Sequence, residues 1–180
     1  MKIAILSDIH DNLWKLDVVL PFIGSCDALI CCGDLCSPFV IDELATGFPR
    51  SIHIVFGNND ADLFRITTKT KPYPHVRLYG EYCEIDFDGK RFAVNHFDYL
   101  ARPIAKSGIY DVVCFGHNHQ FEVATYGRTL ALNPGSIMGA KFGGGMREDT
   151  ESTFIVYDTE TNTPAGFKVQ AEARTVRALA

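Results

Sequence analysis

The stretch KIAILSDIHDNLWKLDVVLPFIG, Lys2 to Gly24, decides the fold class. Its first part, KIAILS, is a short apolar run rich in β-forming residues, which is typical of a strand buried on both faces. Apolar residues then recur three and four positions apart from Leu13 to Ile23, which is the spacing of an amphipathic helix. A buried strand followed directly by such a helix predicts an α/β fold.

The same alternation of strand and helix continues along the chain. Further buried strands are predicted in DALICCGD, SIHIVFGN and DVVCFGHNH. Short helices are predicted in PFVIDELATG, in YLARPIAKSG, and in DADLFRITTK with Asp60 as its cap. The alternation indicates a sheet with helices packed on it.

The second half of the chain adds hairpins to this pattern. They are predicted around Asp88-Gly89, around Gly127-Arg128 and within TFIVYDTETNTPAGFKVQ. The glycine-rich stretch KFGGGMRED, Lys141 to Asp149, is predicted to be a mobile surface loop. Together these segments indicate one domain over residues 1–180, with one mixed sheet or two facing sheets.

The composition limits the classes of protein that this chain can represent. Its 180 residues are 47% hydrophobic and 22% charged, as in an ordinary globular domain. The net charge of −5, without a long basic run, argues against tight nonspecific binding to nucleic acid, so no such partner is predicted. No stretch approaches the roughly 18 consecutive apolar residues of a membrane span, so no membrane association is predicted.

The cysteines and the first residues indicate the cellular compartment. The apolar run at the N-terminus reaches Asp8 too early to form the core of a signal peptide. None of the six cysteines belongs to a C-x-x-C pair, and a disulfide framework is not expected without secretion. Reduced thiols and a cytoplasmic location are therefore predicted.

Polar side chains follow the predicted strands where each strand ends. They are Asp8, His10, Asp34, Asn58, Asn59, Asp60, His96, His117 and His119. Open α/β sheets bind ligands outside the carboxyl ends of their strands. Each short pattern alone is more often a turn or a surface pair, but five strand ends carrying such residues are hard to explain by chance.

These residue types point to a metal centre. Carboxylates, imidazoles and amide oxygens are ligands for Mn²⁺, Fe, Zn²⁺ and Ni²⁺. Side chains two positions apart on an extended chain share a face, so Asp8 with His10, and His117 with His119, can serve one cleft. The set exceeds one tetrahedral ion but suits two ions, which lie roughly 3.5–4 Å apart in sites that displace groups at phosphorus.

The order of these motifs resembles that of the calcineurin-like metallophosphoesterases. D-x-H at Asp8–His10 is followed by G-D at Gly33-Asp34, G-N-x-D at Gly57–Asp60, the isolated His96, and G-H-x-H at Gly116–His119. The chain length and NPGS at residues 133–136 resemble the small YfcE-like phosphodiesterase branch. The resemblance implies a four-layer αββα sandwich of two mixed β-sheets flanked by helices.

The same resemblance implies a ligand set for two divalent ions. Asp8, His10, Asp34 and His119 would hold the first ion, and Asp34, Asn58, His96 and His117 the second, with Asp34 as the bridge. Mn²⁺ is the expected ion, with Ni²⁺, Zn²⁺ or Fe as alternatives. A metal-bridging hydroxide is the expected nucleophile.

The candidate catalytic residues beyond the ligands are Asn59, Asp60 and Asn12. Many relatives carry histidine at position 59, and an amide cannot protonate a leaving group at neutral pH, so weak turnover of poor leaving groups is predicted. Asn59 could donate an N–H to phosphate, as could Asn12, whereas Asp60 is expected to orient its loop or cap the next helix. Asp11 replaces a common glycine and is predicted to disfavour highly anionic substrates.

The leading functional hypothesis is a phosphodiesterase that hydrolyses a small phosphoester by in-line attack. The alternative enzyme is a phosphomonoesterase or nucleotide pyrophosphatase. The non-enzymatic alternative is an interaction scaffold like a retromer subunit, which has the same fold with eroded ligands. A homodimer through exposed hairpins is also considered.

Overall fold

A computed structural model of the protein describes residues 1–179, which contain fourteen strands and four helices. The strands are β1 Lys2–Leu6, β2 Ala28–Cys31, β3 Ser51–Ile54, β4 Val76–Leu78, β5 Tyr82–Phe87, β6 Lys90–Asn95, β7 Val112–Cys114, β8 Phe121–Tyr126, β9 Thr129–Pro134, β10 Ala140–Gly143, β11 Met146–Asp149, β12 Thr153–Asp158, β13 Thr163–Gln170 and β14 Thr175–Ala178. The helices are α1 Leu13–Ile23, α2 Phe39–Gly47, α3 Leu63–Lys69 and α4 Asp98–Lys106.

The strands form two large mixed sheets and one small ribbon. The first sheet has the order β14-β13-β12-β1-β2-β3-β4, in which β1 to β4 run parallel and β12 pairs antiparallel with β1. The second sheet has the order β5-β6-β7-β9-β8, in which β6, β7 and β9 run parallel. The three predicted hairpins are present as β5–β6, β8–β9 and β12–β13.

Alternation along each strand stacks these elements into four layers. In β1, Ile3 and Ile5 face a core shared with the second sheet, while Ala4 and Leu6 face a second core that includes residues of α1, α2 and α3. In the second sheet, Ala93 and Val113 pack in a third core with residues of α4. Because side chains alternate between the faces of a strand, each sheet has a core on both sides. The predicted αββα sandwich is confirmed.

Two local predictions were wrong. The segment predicted as a mobile loop is the hairpin β10–β11, whose two-residue turn at Gly144 and Gly145 has φ of 57° and 77°. Two positive φ angles are what a type I′ turn needs, and a Gly-Gly pair supplies them without steric cost. The cap of α3 is Asp62, which accepts from the backbone N–H of Arg65 at 3.1 Å, and not Asp60.

Between residues 1 and 179, no helix has the length and apolar character needed to cross a membrane.

Candidate metal centre

Backbone hydrogen bonds join the loops that follow β1 and β2. The N–H of Asp8 donates to the carbonyl of Gly33 at 3.0 Å, and the N–H of His10 donates to the carbonyl of Asp34 at 3.0 Å. In the second sheet, the N–H of Gly116 donates to the carbonyl of His96 at 2.9 Å. The carboxyl ends of strands from both sheets therefore present their side chains at one edge of the sandwich.

The candidate ligands lie where the chain turns sharply. Positive φ angles occur at Asp8 (53°), His10 (45°), Asp34 (56°), His117 (74°) and His119 (58°). Left-handed backbone is uncommon for residues with a Cβ atom, although Asp and His adopt it more readily than most. The turns make the ligands point inward instead of following the strands out into solvent.

The glycines of the motifs allow these loops to approach one another. A Cβ atom on Gly57 would lie 2.1 Å from Oδ1 of Asp34, and one on Gly116 would lie 1.9 Å from Oγ of Ser7. Neither distance is sterically possible. The motif glycines are therefore needed for close approach, which the sequence pattern alone did not explain.

One group of candidate ligands surrounds a carboxylate oxygen of Asp8. Its Oδ1 lies 3.1 Å from Nε2 of His119 and 3.7 Å from Nε2 of His10. The two imidazole Nε2 atoms are 3.2 Å apart. These three side chains converge as three ligands of one ion would.

A second group forms around Asn58 and His96. The amide Oδ1 of Asn58 lies 3.1 Å from Nε2 of His96 and 2.9 Å from Nδ1 of His117. Oδ2 of Asp34 lies 3.5 Å from Nε2 of His96 and 3.4 Å from Nε2 of His10. Asp34 thus faces both groups, where a bridging carboxylate would lie.

All seven residues predicted as metal ligands are therefore brought together. Asp8 also approaches the second group, since its Oδ1 is 4.0 Å from Nε2 of His96, whereas the resemblance assigned Asp8 to the first ion only. Oδ1 of Asp8 is buried and lacks a hydrogen-bond partner among the described residues. Leaving a buried carboxylate oxygen unpaired is costly, so the donor set fits bound cations.

The ring nitrogens that face away from the centre have partners that fix the tautomers. Nδ1 of His96 donates to the carbonyl of Cys32 at 2.7 Å, and Nδ1 of His119 donates to the carbonyl of Ala140. Since a carbonyl only accepts, each Nδ1 carries the proton and each Nε2 is free to bind a metal. Nδ1 of His10 instead contacts Sγ of Cys36 at 3.3 Å, a partner that the sequence did not suggest.

The electrostatics of the centre favour the ionised carboxylate of Asp8. Burial opposes its ionisation, but the imidazoles of His10, His119 and His96 beside it hold the pKa of the Asp8 carboxyl well below its usual range. Burial lowers the pKa of His119, but its contact with Asp8 outweighs this and raises that pKa above its usual value. The two residues therefore stabilise each other's charged forms.

Asn59 holds Asp34 with two donors. Its backbone N–H donates to Oδ1 of Asp34 at 2.8 Å, and its side-chain Nδ2 donates to Oδ2 at 2.7 Å. The side chain also lines the cleft described below. The predicted phosphate contact thus competes with a hydrogen bond that fixes the carboxylate facing both ligand groups.

Asp60 holds the loop backbone in place. Its carboxylate accepts from the N–H groups of Gly57 at 2.7 Å, Cys36 at 2.8 Å and Asp34 at 3.0 Å, and the residue is 6% exposed. Burial raises the pKa of Asp60, and these N–H donors partly offset that rise. These contacts are those of a residue that orients its loop, which is one of the two roles predicted for Asp60.

The side chains of Asn12 and Asp11 also form hydrogen bonds within the protein. Oδ1 of Asn12 accepts from the N–H of Lys15 at 3.2 Å, which makes Asn12 the N-cap of α1. The carboxylate of Asp11 accepts from the N–H and hydroxyl of Ser37 at 2.9 and 2.7 Å. These contacts weaken the prediction that Asn12 contacts phosphate and that Asp11 repels anionic substrates.

The NPGS segment anchors the loop that carries His117 and His119. Nδ2 of Asn133 donates to the carbonyl of Gly116 at 3.1 Å and to Oδ1 of Asn118 at 2.9 Å. Oγ of Ser136 donates to the carbonyl of Asp8 at 3.0 Å. This segment therefore connects the end of β9 to loops of both sheets.

A cleft of about 510 Å³ opens above the centre. It is lined by His10, Asp34, Asn58, Asn59, His117, Asn118, His119, Lys141 and Phe142. The last two belong to β10 and were missed because their segment was interpreted as a loop. Arg65 and Arg147 are not among these lining residues, and they pair with Asp62 at 3.5 Å and Asp149 at 2.7 Å.

The chain was compared with known protein families and sequences. A family model described as the calcineurin-like phosphoesterase superfamily domain matches residues 1–162. The chain is 29% identical over 143 residues to phosphodiesterase MJ0936 of Methanocaldococcus jannaschii, and the match covers 77% of this chain and 86% of the relative.

Solved structures share the fold. A structure described as a novel archaeal phosphodiesterase has a TM-score of 0.81 at 27% identity and covers 93% of this chain and 99% of its own. The phosphoesterase YfcE from E. coli has a TM-score of 0.66 at 19% identity, covering 100% and 99%. A single mutant of Vps29 from Entamoeba histolytica has a TM-score of 0.72 at 17% identity, covering 99% and 97%. At their identities, the last two likenesses concern the fold alone.

Proposed function

Because the chain belongs to the calcineurin-like phosphoesterase superfamily and resembles its small YfcE-like branch, as its motifs predicted, we propose that it is a phosphodiesterase that uses two divalent ions, with Mn²⁺ as the expected metal. One observation carries this proposal. Oδ2 of Asp34 lies 3.4 Å from Nε2 of His10 and 3.5 Å from Nε2 of His96, between the two ligand groups. A single carboxylate facing two sets of imidazoles is the arrangement that a pair of ions requires.

The residues of the centre form two sets of ligands, one for each ion. The first ion would be held by Asp8, His10, Asp34 and His119, and the second by Asp34, Asn58, His96 and His117. When bound, the ions supply a water of lowered pKa at neutral pH and neutralise charge on the phosphoryl oxygens. Asn59 holds the Asp34 carboxylate where it faces both ligand groups.

The proposed reaction is an in-line displacement at phosphorus. The oxygen of water forms a bond to phosphorus, the bond to one ester oxygen breaks, and a monoester and an alcohol result. The departing alkoxide needs a proton, and an amide at position 59 cannot supply it. We therefore expect esters with good leaving groups, which depart without protonation, to be the better substrates.

The positions of Asp11 and of the candidate ligands bear on the two alternatives that the sequence leaves open. Asp11 is not among the residues that line the cleft, and its oxygens accept from Ser37, so its charge argues less strongly for diesters, and a phosphomonoesterase is the main competing enzyme. A non-enzymatic scaffold needs no metal ligands. Here all seven candidate ligand side chains converge, which favours the enzyme.

The test compares two substrates on one protein preparation. Metal-stripped protein receives Mn²⁺ and is assayed on bis-p-nitrophenyl phosphate and on p-nitrophenyl phosphate. We expect Mn²⁺ to restore hydrolysis, with the higher kcat/KM on the diester. Asp34→Asn should lower it at least about 100-fold, since even outer partners of metal ligands commonly contribute 10–100-fold. Asp17→Asn, on the exposed face of α1, is the matched control and should match the parent.

Different outcomes would overturn different parts of the proposal. Faster hydrolysis of the monoester would indicate a phosphatase. Activity that survives Asp34→Asn would remove the bridging carboxylate from the reaction. No hydrolysis of either ester with Mn²⁺, Ni²⁺ or Zn²⁺ would favour the scaffold.

A further inference from the structure

We propose that the β10–β11 hairpin forms a stacking subsite for a planar aromatic ester group, and that the substrate is a nucleoside phosphodiester. This inference rests on the proposed function, since it names the substrate class of the same cleft. It concerns Phe142 as the stacking residue and Lys141 as a partner for anionic groups.

The base of the hairpin is fixed to the metal centre. The carbonyl of Ala140, the first residue of β10, accepts from Nδ1 of His119. The N–H of Met138, just before the hairpin, donates to the carbonyl of Asp8 at 3.0 Å, and the N–H of Thr150 closes the base by donating to Gly139 at 3.1 Å. The hairpin therefore has a defined position beside the candidate ligands.

Phe142 is an aromatic side chain presented to solvent in this position. It lines the cleft and is 66% exposed, whereas every other described residue that lines the cleft is polar. Leaving so much apolar surface in water has no stabilising return within the fold. A planar ligand group laid on the ring would bury that surface, and base–aromatic stacking does not depend on a particular base.

The other features of the cleft fit a nucleotide. Lys141 lines the same wall, and its Nζ lies 3.1 Å from a carboxylate oxygen of Glu148. An exposed pair of this kind is weak, so an anionic group of a ligand can replace Glu148 as the partner of Lys141. A volume of about 510 Å³ lies within the range of small-molecule sites. A lipid ester would need an extended apolar groove, but this cleft offers a single phenyl ring among polar side chains.

The experiment compares two ligands that differ only in the base. AMP and ribose 5-phosphate share a ribose phosphate, and calorimetry on the Mn²⁺-loaded protein gives both Kd values without turnover. We expect AMP to bind the parent about tenfold more tightly, which is toward the lower end of measured base–aromatic stacking. In Phe142→Ala the two Kd values should become equal within about twofold, because only the stacking partner is lost.

Three further variants separate stacking from the shape of the hairpin and from charge. Phe142→Trp should keep the preference for AMP. Met146→Ala, which changes an exposed residue of the same hairpin that does not line the cleft, should also keep it. Lys141→Ala should weaken both ligands by a similar factor and leave their ratio unchanged.

The inference and the proposed function fail in distinguishable ways. Equal affinities of AMP and ribose 5-phosphate for the parent, or an unchanged preference in Phe142→Ala, would overturn the stacking subsite even if bis-p-nitrophenyl phosphate is hydrolysed. Absence of hydrolysis together with a base preference that depends on Phe142 would overturn the enzyme but keep the nucleotide subsite.

Discussion

Asn59 occupies the position where a histidine acid is common, yet both of its donors bind the Asp34 carboxylate. Asn59→Ala removes the side-chain donor at 2.7 Å and leaves Oδ2 of Asp34 free to turn. We expect the affinity for Mn²⁺ to fall about tenfold, as is usual when an outer partner of a metal ligand is lost. A competition titration against a chromophoric chelator measures this.

The control for Asn59 is the exposed amide of Gln120, next to His119. Gln120→Ala should bind Mn²⁺ like the parent. If Asn59→Ala bound the metal normally but lost turnover alone, Asn59 would be a substrate contact and not a positioning residue.

Cys36 supplies a second prediction at the scale of one residue. Its Sγ lies 3.3 Å from Nδ1 of His10, whereas Nδ1 of His96 and Nδ1 of His119 each bind a backbone carbonyl. Burial and the neighbouring carboxylates raise the pKa of this thiol to about 12, so it remains protonated near neutral pH. Cys36→Ala should weaken Mn²⁺ binding severalfold, which is less than the usual loss of about 10–100-fold, because a thiol is a weak hydrogen-bond partner. Cys36→Ser should recover part of the affinity, and an unchanged affinity in the alanine variant would contradict the role.

The sequence predicted the positions of the candidate ligands better than the contacts that hold them. Asp8, Asp34 and His96 follow apolar strands, so their position was readable from the pattern and the topological rule for parallel sheets. Cys36 and Asp60 act through contacts between loops that are far apart along the chain. No local pattern encodes such a contact, so the role of Cys36 was missed and that of Asp60 was left open.

At the scale of elements, the N-cap of α1 is Asn12, which the sequence predicted as a phosphate contact. Asn12→Ala removes the Oδ1 acceptor of the Lys15 N–H, and the free energy of unfolding should fall by about 1 kcal/mol. Asn12→Ser retains an N-cap oxygen and should restore most of that loss. Urea denaturation of the three proteins measures the difference. Normal stability with a large loss of turnover in Asn12→Ala would instead restore the predicted phosphate contact.

Strands and helices with strong periodicity were predicted well, and the hairpin β10–β11 was not. Its strands carry little alternation of apolar and polar residues, and all four residues of β11 are exposed. The Gly144-Gly145 pair was the available signal, because it permits the tight turn. The glycine-rich composition of this segment favours a loop, so the sequence did not predict that Lys141 and Phe142 line the cleft.

At the scale of the whole molecule, His53 lies between the two sheets. It is 5% exposed, Nδ1 contacts the hydroxyl of Tyr79 at 2.8 Å, and its ring packs edge-on against Phe87 of the second sheet. Burial and the charge of Arg77 lower its pKa from 6.5 to about 4. Between these values the unfolded chain binds a proton that the folded protein does not, so stability falls as the pH drops.

The resulting prediction concerns the pH dependence of unfolding. His53 should make the protein about 2 kcal/mol less stable near pH 5 than near pH 7. His53→Gln should reduce the pH dependence by that amount. Urea midpoints at the two pH values, with a chelator present, test this. Equal pH dependence in the parent and in His53→Gln would contradict it.

The sequence left the arrangement of the whole molecule open between one mixed sheet and two facing sheets. Periodicity indicates which residues are buried, but it does not indicate which two elements pack their buried faces against each other. The edge-on contact of Phe92 with Tyr157, which joins β6 to β12, is an example of packing that no local pattern specifies. The resemblance to a family therefore supplied the layer order.

The left-handed backbone at five of the seven candidate ligands has a consequence for how such a chain drifts over generations. Left-handed backbone costs on the order of 1 kcal/mol at a residue with a Cβ atom, and glycine removes that cost. A change from His117, a half-buried candidate ligand, to glycine would remove a ligand. The fold should tolerate such a change better than most substitutions. In a chelator, His117→Gly should melt at or above the Tm of the parent, and a clearly lower Tm would argue against this. A lineage released from selection for catalysis would lose its ligands early and keep its architecture.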